Sequence, residues 1–160
     1  MPNDASAAPA SPTIEFRSAY DQGFARVAAV TLPVVLANPA ANAAAIVEQA
    51  RALSEDGVAV AAFPELSLTG YSIDDLLLSD VLRADVLAAI EAVRAASTDL
   101  LPVLVVGAPL LLGSRLYNCA VVIHRGAVLG VAPKTYLPNY REFYEARWYA
   151  SGADAPAATV

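Results

Sequence analysis

The run Val58-Ala59-Val60-Ala61-Ala62-Phe63, followed at once by Pro64-Glu65, constrains this chain more than any other stretch. Six consecutive apolar residues without alternation read as a strand buried on both faces, as in a helix-covered parallel sheet. A carboxylate directly beyond such a strand is unusual, because an unpaired buried charge is costly. Glu65 therefore needs hydrogen-bond donors, a cation, a raised pKa or an exit into a cleft. In open parallel α/β sheets the ligand crevice lies at the carboxyl ends of strands, which is where Glu65 falls. Two readings stand: a strand-end glutamate satisfied by backbone amides, or a functional carboxylate at a crevice.

The flanking patterns extend this sheet. Phe24–Val30 reads as the first strand. Asn38-Pro39 supplies an N-cap and a proline at the first helical position. Ala43, Ile46, Val47, Ala50 and Leu53 then recur at helical spacing, with Asn42, Glu48, Gln49 and Arg51 mostly elsewhere on the wheel. Gly57 suits a left-handed cap after Ser54-Glu55-Asp56. A second helical pattern covers Asp74–Ala96 with a break near Asp80, and its stripe is Leu77, Val81, Leu82, Val86, Ala89, Ile90 and Val93. Asp74 and Asp75 complement the dipole at its start; the alternatives are a metal site or a solvated first turn, and the solvated turn is preferred. Pro102–Leu112 is a third buried strand, and Tyr117–Ile123 and Ala127–Ala132 form a hairpin around His124-Arg125-Gly126. The order β-α-β-α-β-β-β predicts an α/β layered fold.

Composition narrows the function. With Lys+Arg 10 against Asp+Glu 16 the net charge is −6 and there is no basic stripe, so nucleic acid is not an expected partner. No apolar run approaches the roughly 20 residues of a membrane span. The first twelve residues have neither a basic n-region nor an apolar h-region, and residues 1–14 are expected to be a disordered tail before a domain over 15–160. The single cysteine fits a reducing, cytoplasmic setting. No Walker loop, dinucleotide glycine fingerprint or zinc-ligand cluster appears, so no cofactor is expected in this stretch.

Lys134 is the second anomaly, closing the apolar strand Val128–Pro133. It either snorkels to solvent or faces Glu65 as a fixed ammonium that holds both charges in a dry cleft and stabilises a developing oxyanion. The segment Tyr136–Glu145 interleaves aromatics with charges, as a site wall, a peripheral loop or an oligomer contact would. Cys119 lies mid-strand among Ala120, Val121 and Val122, the setting of a small buried hydrophobe rather than a reactive thiolate. His124 belongs to a turn.

Phe63-Pro64-Glu65-Leu66 with Gly70-Tyr71, then Tyr117-Asn118, then Pro133-Lys134 with Leu137-Pro138, resemble the nitrilase (carbon–nitrogen hydrolase) superfamily. Tyr20–Phe24, Leu68–Asp75 and Leu137–Glu145 narrow the resemblance to the N-terminal glutaminase domains of glutamine-dependent NAD synthetases, over about residues 15 to 152. The resemblance implies a layered α-β-β-α sandwich of which only the N-terminal portion is present. It implies Glu65 as general base, Lys134 as oxyanion stabiliser and Glu142 as a further carboxylate that positions the site. Tyr71 and Tyr140 match tyrosines near the glutamine pocket and ammonia exit. The family's nucleophilic cysteine lies downstream of the lysine, on a strand these residues do not reach, and Cys119 precedes Lys134. An N-terminal fragment is therefore expected, inactive and aggregation-prone by itself, whose full-length protein adds the cysteine and an ATP- and magnesium-dependent synthetase domain and forms a homo-oligomer. A stand-alone nitrilase-like amidase and a non-catalytic α/β module are the alternatives.

Overall fold

The computed structural model describes residues 18–156. The tail expected over residues 1–14 lies outside them. In chain order the elements are β1 (Val27–Ala29), α1 (Pro39–Glu55), β2 (Val60–Ala62), α2 (Asp80–Ala96), β3 (Val103–Leu112), β4 (Arg115–His124) and β5 (Ala127–Pro133). They form one five-stranded sheet in the order β1-β2-β3-β4-β5. β1, β2 and β3 are parallel, and two hairpins then place β4 antiparallel to β3 and β5 antiparallel to β4. The strands β2, β3 and β5 consequently run the same way, and the ends of β2 and β5 share one edge of the sheet.

Local chemistry sets the helix ends. Asn38 accepts from Ala41 N as N-cap, with Pro39 in the first turn. Gly57 takes φ +70°, and Val58 N reaches back to Leu53 O at 2.9 Å, closing α1 by a left-handed cap. The break in the second pattern falls at Ser79, whose side chain caps α2 at Leu82 N, and the preceding Asp74–Leu78 is a 3₁₀ turn. That break moves Val81 off the core stripe. It is 72% exposed, while Leu82, Val86, Ala89 and Val93 are buried. Asp74 and Asp75 accordingly belong to the 3₁₀ turn and not to the first turn of α2, where Asp80 stands.

The core lies between the helices and one face of the sheet, where Ile46, Ala50, Val86 and Val93 meet Ala61, Leu104, Val106, Val121 and Ile123. Burial of this apolar area, at roughly 25 cal/mol per Å², is the main force joining the layers. The expectation of strands buried on both faces is corrected. Ala61 of β2 is fully buried, but its neighbours Val60 and Ala62 are half-buried and exposed. Val103, Val105, Ala120 and Val122 are likewise only half-buried, because among the described residues the second face is covered only at one end, where the loop after β2 and the segment around Tyr149 bury Gly107, Leu116 and Asn118. The chain therefore supplies one helix layer and one sheet of a layered α/β fold. No helix of the described residues is long and apolar enough to cross a membrane.

Asn42 also departs from expectation. Assigned by pattern to the polar side of α1, it is 3% exposed. Its amide donates to Val35 O (2.8 Å) and Leu68 O (2.9 Å) and accepts from Val35 N (2.8 Å). It ties the loop before α1 to the loop after β2, satisfying backbone groups that the helix layer has cut off from water.

Candidate active site

The loop after β2 is pressed against β3. A Cβ at Gly107 would stand 2.3 Å from Leu66 N, 2.5 Å from Pro64 O and 2.8 Å from Glu65 C. Only a glycine lets these two backbones approach so closely. Leu68 N donates to Gly107 O (3.1 Å), and Gly107 N donates to Ser67 Oγ (3.0 Å). Leu66 turns the chain with φ +50° and fills the second apolar cluster with Ile73, Leu77, Leu116 and Tyr149. Glu65 is thereby held at the end of the sheet.

Lys134 reaches that edge by continuing β5 one residue further. Its N–H donates to Asn118 O at 2.7 Å, and its carbonyl accepts from Gly152 N at 2.8 Å. The side chain meets Glu65 Oε1 at 2.6 Å and Glu145 Oε1 at 3.0 Å. Asn118 Nδ2 also donates to Glu65 Oε1, at 2.5 Å, and Tyr71 Oη donates to Glu145 Oε1, at 2.7 Å. The partners of Glu65 are thus a cation and a side-chain amide, and not the backbone amides of the first reading. Glu65 and Lys134 face a cavity of about 250 Å³ on the uncovered side of the sheet, bordered by Phe63, Val105, Asn118 and Ala132. A larger groove of about 550 Å³ between α1 and α2 is lined mainly by alanines, with Arg51 and Asp85 its only charged walls.

The electrostatics follow from this geometry. Burial alone would lower the Lys134 pKa, but hydrogen bonds and charge from Glu65 and Glu145 outweigh it and hold the ammonium above the ordinary lysine value. Burial, then the hydrogen bond and charge of Glu145, push the Tyr71 hydroxyl up as well, so it stays a donor. Burial pushes the Cys119 thiol up to about 11, and Sγ lies 3.6 Å from Tyr117 O. A thiol so placed is mostly protonated near neutrality and poorly suited to attack, although it borders the same cavity.

Of the residues singled out in the sequence, the structure joins Glu65, Lys134 and Tyr71 into one network and leaves two outside it. Glu142 is exposed, with no ion pair among the described residues; Glu145, three residues on, occupies the place beside Lys134 and is 2% exposed. The irregular segment after Lys134 explains the change. Glu145 N is bonded to Pro138 O (3.2 Å) and starts a 3₁₀ turn over Glu145–Arg147, so that residue and not Glu142 turns inward. Tyr140 is 64% exposed and, among the described residues, meets the network through Phe143, whose ring lies edge-on to Tyr140 and Tyr71 at 5.9 and 6.3 Å. Asn118 and Glu145 are members to which the sequence assigned no role, although both lie in motifs that carry the resemblance. The signal for Asn118 was its amide in an otherwise apolar strand; for Glu145 there was only its place in an acidic, aromatic loop. No group of three His, Cys, Asp or Glu among the described residues is arranged to hold a metal ion.

A glutamate paired with a lysine and backed by a second carboxylate stands at the ends of two like-directed strands, an arrangement with a proton acceptor and a fixed positive charge side by side. Residues 26–158 match the carbon-nitrogen hydrolase family, and the chain belongs to it. Among its curated relatives are the glutamine-dependent NAD(+) synthetases of Mycobacterium tuberculosis, 59% identical over 139 residues, and of Mycobacterium leprae, 56% identical over 141. These alignments take in 87% and 88% of this chain but 20% and 21% of the relatives, so the chain spans about a fifth of their length. Among solved structures, the glutamine-dependent NAD+ synthetase of Acinetobacter baumannii superposes with a TM-score of 0.73 at 32% identity, over 78% of this chain and 23% of that one. A nitrilase-superfamily amidase of Nesterenkonia matches with a TM-score of 0.71 at 24% identity, over 85% and 51%, a likeness of fold. The layered nitrilase-type architecture is thus the fold of this chain.

Proposed function

We propose that this chain carries the base and the oxyanion-stabilising group of a glutaminase centre, in a protein that hydrolyses glutamine and passes the ammonia to amidation of deamido-NAD. The observation that carries the reading is Lys134 Nζ lying between Glu65 Oε1 and Glu145 Oε1, at 2.6 and 3.0 Å, beside an open cavity. The identity to NAD(+) synthetases over most of the chain supports the substrate.

In this reading Glu65, the more exposed of the two carboxylates, takes the proton of a cysteine thiol supplied by chain beyond these residues. The thiolate attacks the side-chain amide carbon of glutamine, and the oxyanion forms beside the Lys134 ammonium. Collapse breaks the C–N bond, with Glu65 returning its proton to the departing ammonia. Glu65 then deprotonates the water that hydrolyses the thioester to glutamate. Glu145 and Tyr71 hold the ammonium in place, and Asn118 orients Glu65. The proposal extends to a cytoplasmic homo-oligomer whose synthetase portion, with ATP and magnesium, lies outside these residues.

The test is glutamate release from glutamine by the full-length protein. The wild type is expected to turn over, and Glu65→Gln to lose about 10³-fold, the scale of a removed general base. Equal rates in the two proteins would overturn the assignment of Glu65. Absence of glutamine turnover in the wild type would overturn the proposed activity itself.

A further inference from the structure

Asp75 lies outside both the core and the cluster around Lys134, yet three side-chain donors converge on it. Arg147 Nε and Nη2 reach Oδ1 and Oδ2 at 3.1 Å each, and Trp148 Nε1 donates to Oδ1 at 2.9 Å. A two-pronged guanidinium contact with an indole beside it has a directional specificity that a dipole contact lacks. Its donors stand two and three residues past Glu145, at the end of the 3₁₀ turn that Glu145 begins. Its acceptor stands four residues past Tyr71, whose hydroxyl donates to that same Glu145.

We propose that Asp75 is a positioning residue that grips Arg147 and Trp148 and so sets Glu145 behind Lys134. The inference rests on the reading of the Lys134 cluster as a glutaminase centre. Glu145 receives both of its hydrogen bonds at Oε1, while Oε2 has no partner among the described residues. The direction of the carboxylate therefore follows the backbone of its turn, and a single 3₁₀ turn has little rigidity of its own. Its other tethers include the bonds from Glu145 N to Pro138 O and from Ala150 N to Leu116 O, and the burial of Tyr149. Arg147 and Trp148 lie between those tethers; Trp148 also packs against the second apolar cluster, and Asp75 accepts the side-chain hydrogen bonds that join both residues to the segment carrying Tyr71. Asp75 and Arg147 are about three-fifths exposed, at 62% and 59%, so the grip adds little to global stability and acts on local geometry.

The experiment uses the full-length protein with Asp75→Ala, Asp75→Asn and the swapped pair Asp75→Arg/Arg147→Asp. One readout is steady-state glutamine hydrolysis; the other is the pH dependence of Lys134 acetylation, followed by peptide mass spectrometry. Facing Lys134 are Glu65 from the β2 loop, Glu145 from the 3₁₀ turn, and Asn118 and Cys119 from β4, with Tyr71 reaching it through Glu145. Loosening Glu145 removes one of the two anionic partners, so the Lys134 titration moves to lower pH. Asp75→Ala is expected to lower kcat about fivefold, on the scale that a small misplacement costs, with KM almost unchanged. Asp75→Asn should fall between Asp75→Ala and wild type, and the swapped pair should recover part of the loss by restoring the fork. A wild-type kcat together with an unmoved Lys134 titration in Asp75→Ala would overturn the proposal. If the wild type hydrolyses no glutamine, the glutaminase reading fails, and the Lys134 titration alone still decides the positioning. Should Asp75→Ala not fold, Asp75→Asn and Arg147→Lys carry both readouts.

Discussion

Glu65 and Glu145 approach one ammonium and are held there by opposite means. Glu65 is fixed by backbone: its loop lies so close to Gly107 that a single added carbon would stand 2.3 Å from Leu66 N. Its side chain keeps 41% of its surface and borders the cavity. Glu145 stands on a single 3₁₀ turn and relies on side chains to stay there, through Tyr71, Lys134 and the contacts of its neighbours with Asp75, and its own side chain keeps 2%. On the proposed function the difference separates two kinds of work. A carboxylate that must trade protons with a reactant needs access, whereas one that steadies a cation gains from exclusion of water, where charge acts over a lower dielectric.

The largest expected effect tests the backbone half of that contrast. Gly107→Ala is expected to destabilise the chain by about 3 kcal/mol, the upper part of the range for overpacking, because the atoms it meets are backbone and cannot rotate away. Gly130→Ala is the matched control on the same uncovered face of the sheet, with nothing within 4 Å of its added Cβ and no positive φ. Its cost should stay within about 0.5 kcal/mol. Urea unfolding of the full-length variants reads both. Equal midpoints would show that the Glu65 loop is not seated on β3 as described.

The contrast also explains what could be read in the sequence. Glu65 and Lys134 each stand one or two residues beyond an apolar strand, so strand direction alone sends both to one edge. Asn38, Pro39 and Gly57 were equally legible, because caps are local chemistry. Glu145 was not: the loop from Thr135 to Tyr144 has no period, and Glu142 and Glu145 look alike until Pro138 O and the buried Tyr149 fix which one turns inward. Asn42 was readable in principle, since Asn42, Ile46 and Ala50 share one face of α1, but a polar residue was counted with the polar side. Burial of β2 on both faces was overestimated because hydrophobicity records the surface a residue is suited to cover. It does not say whether the covering layer lies within the same stretch of chain.

A smaller effect tests the side-chain half. Glu145→Ala removes the acceptor of Tyr71 and one of the two anions at Lys134, and should cost about 2 kcal/mol, the scale of lost charge-assisted hydrogen bonds in a buried site. Glu142→Ala, on the surface of the same loop, should stay within about 0.5 kcal/mol. The alkaline limb of stability sharpens the distinction. The Lys134 pKa is raised in the folded chain, so its ion pairs contribute fully below the ordinary lysine pKa of about 10.4 and fade as pH climbs through the higher folded value. Loss of Glu145 lowers that folded value and draws the fade toward lower pH, while loss of Glu142 leaves it in place. Thermal melts of both variants across pH 8 to 12, compared with wild type, decide the matter. A shift in Glu142→Ala and none in Glu145→Ala would reverse the assignment of the second carboxylate.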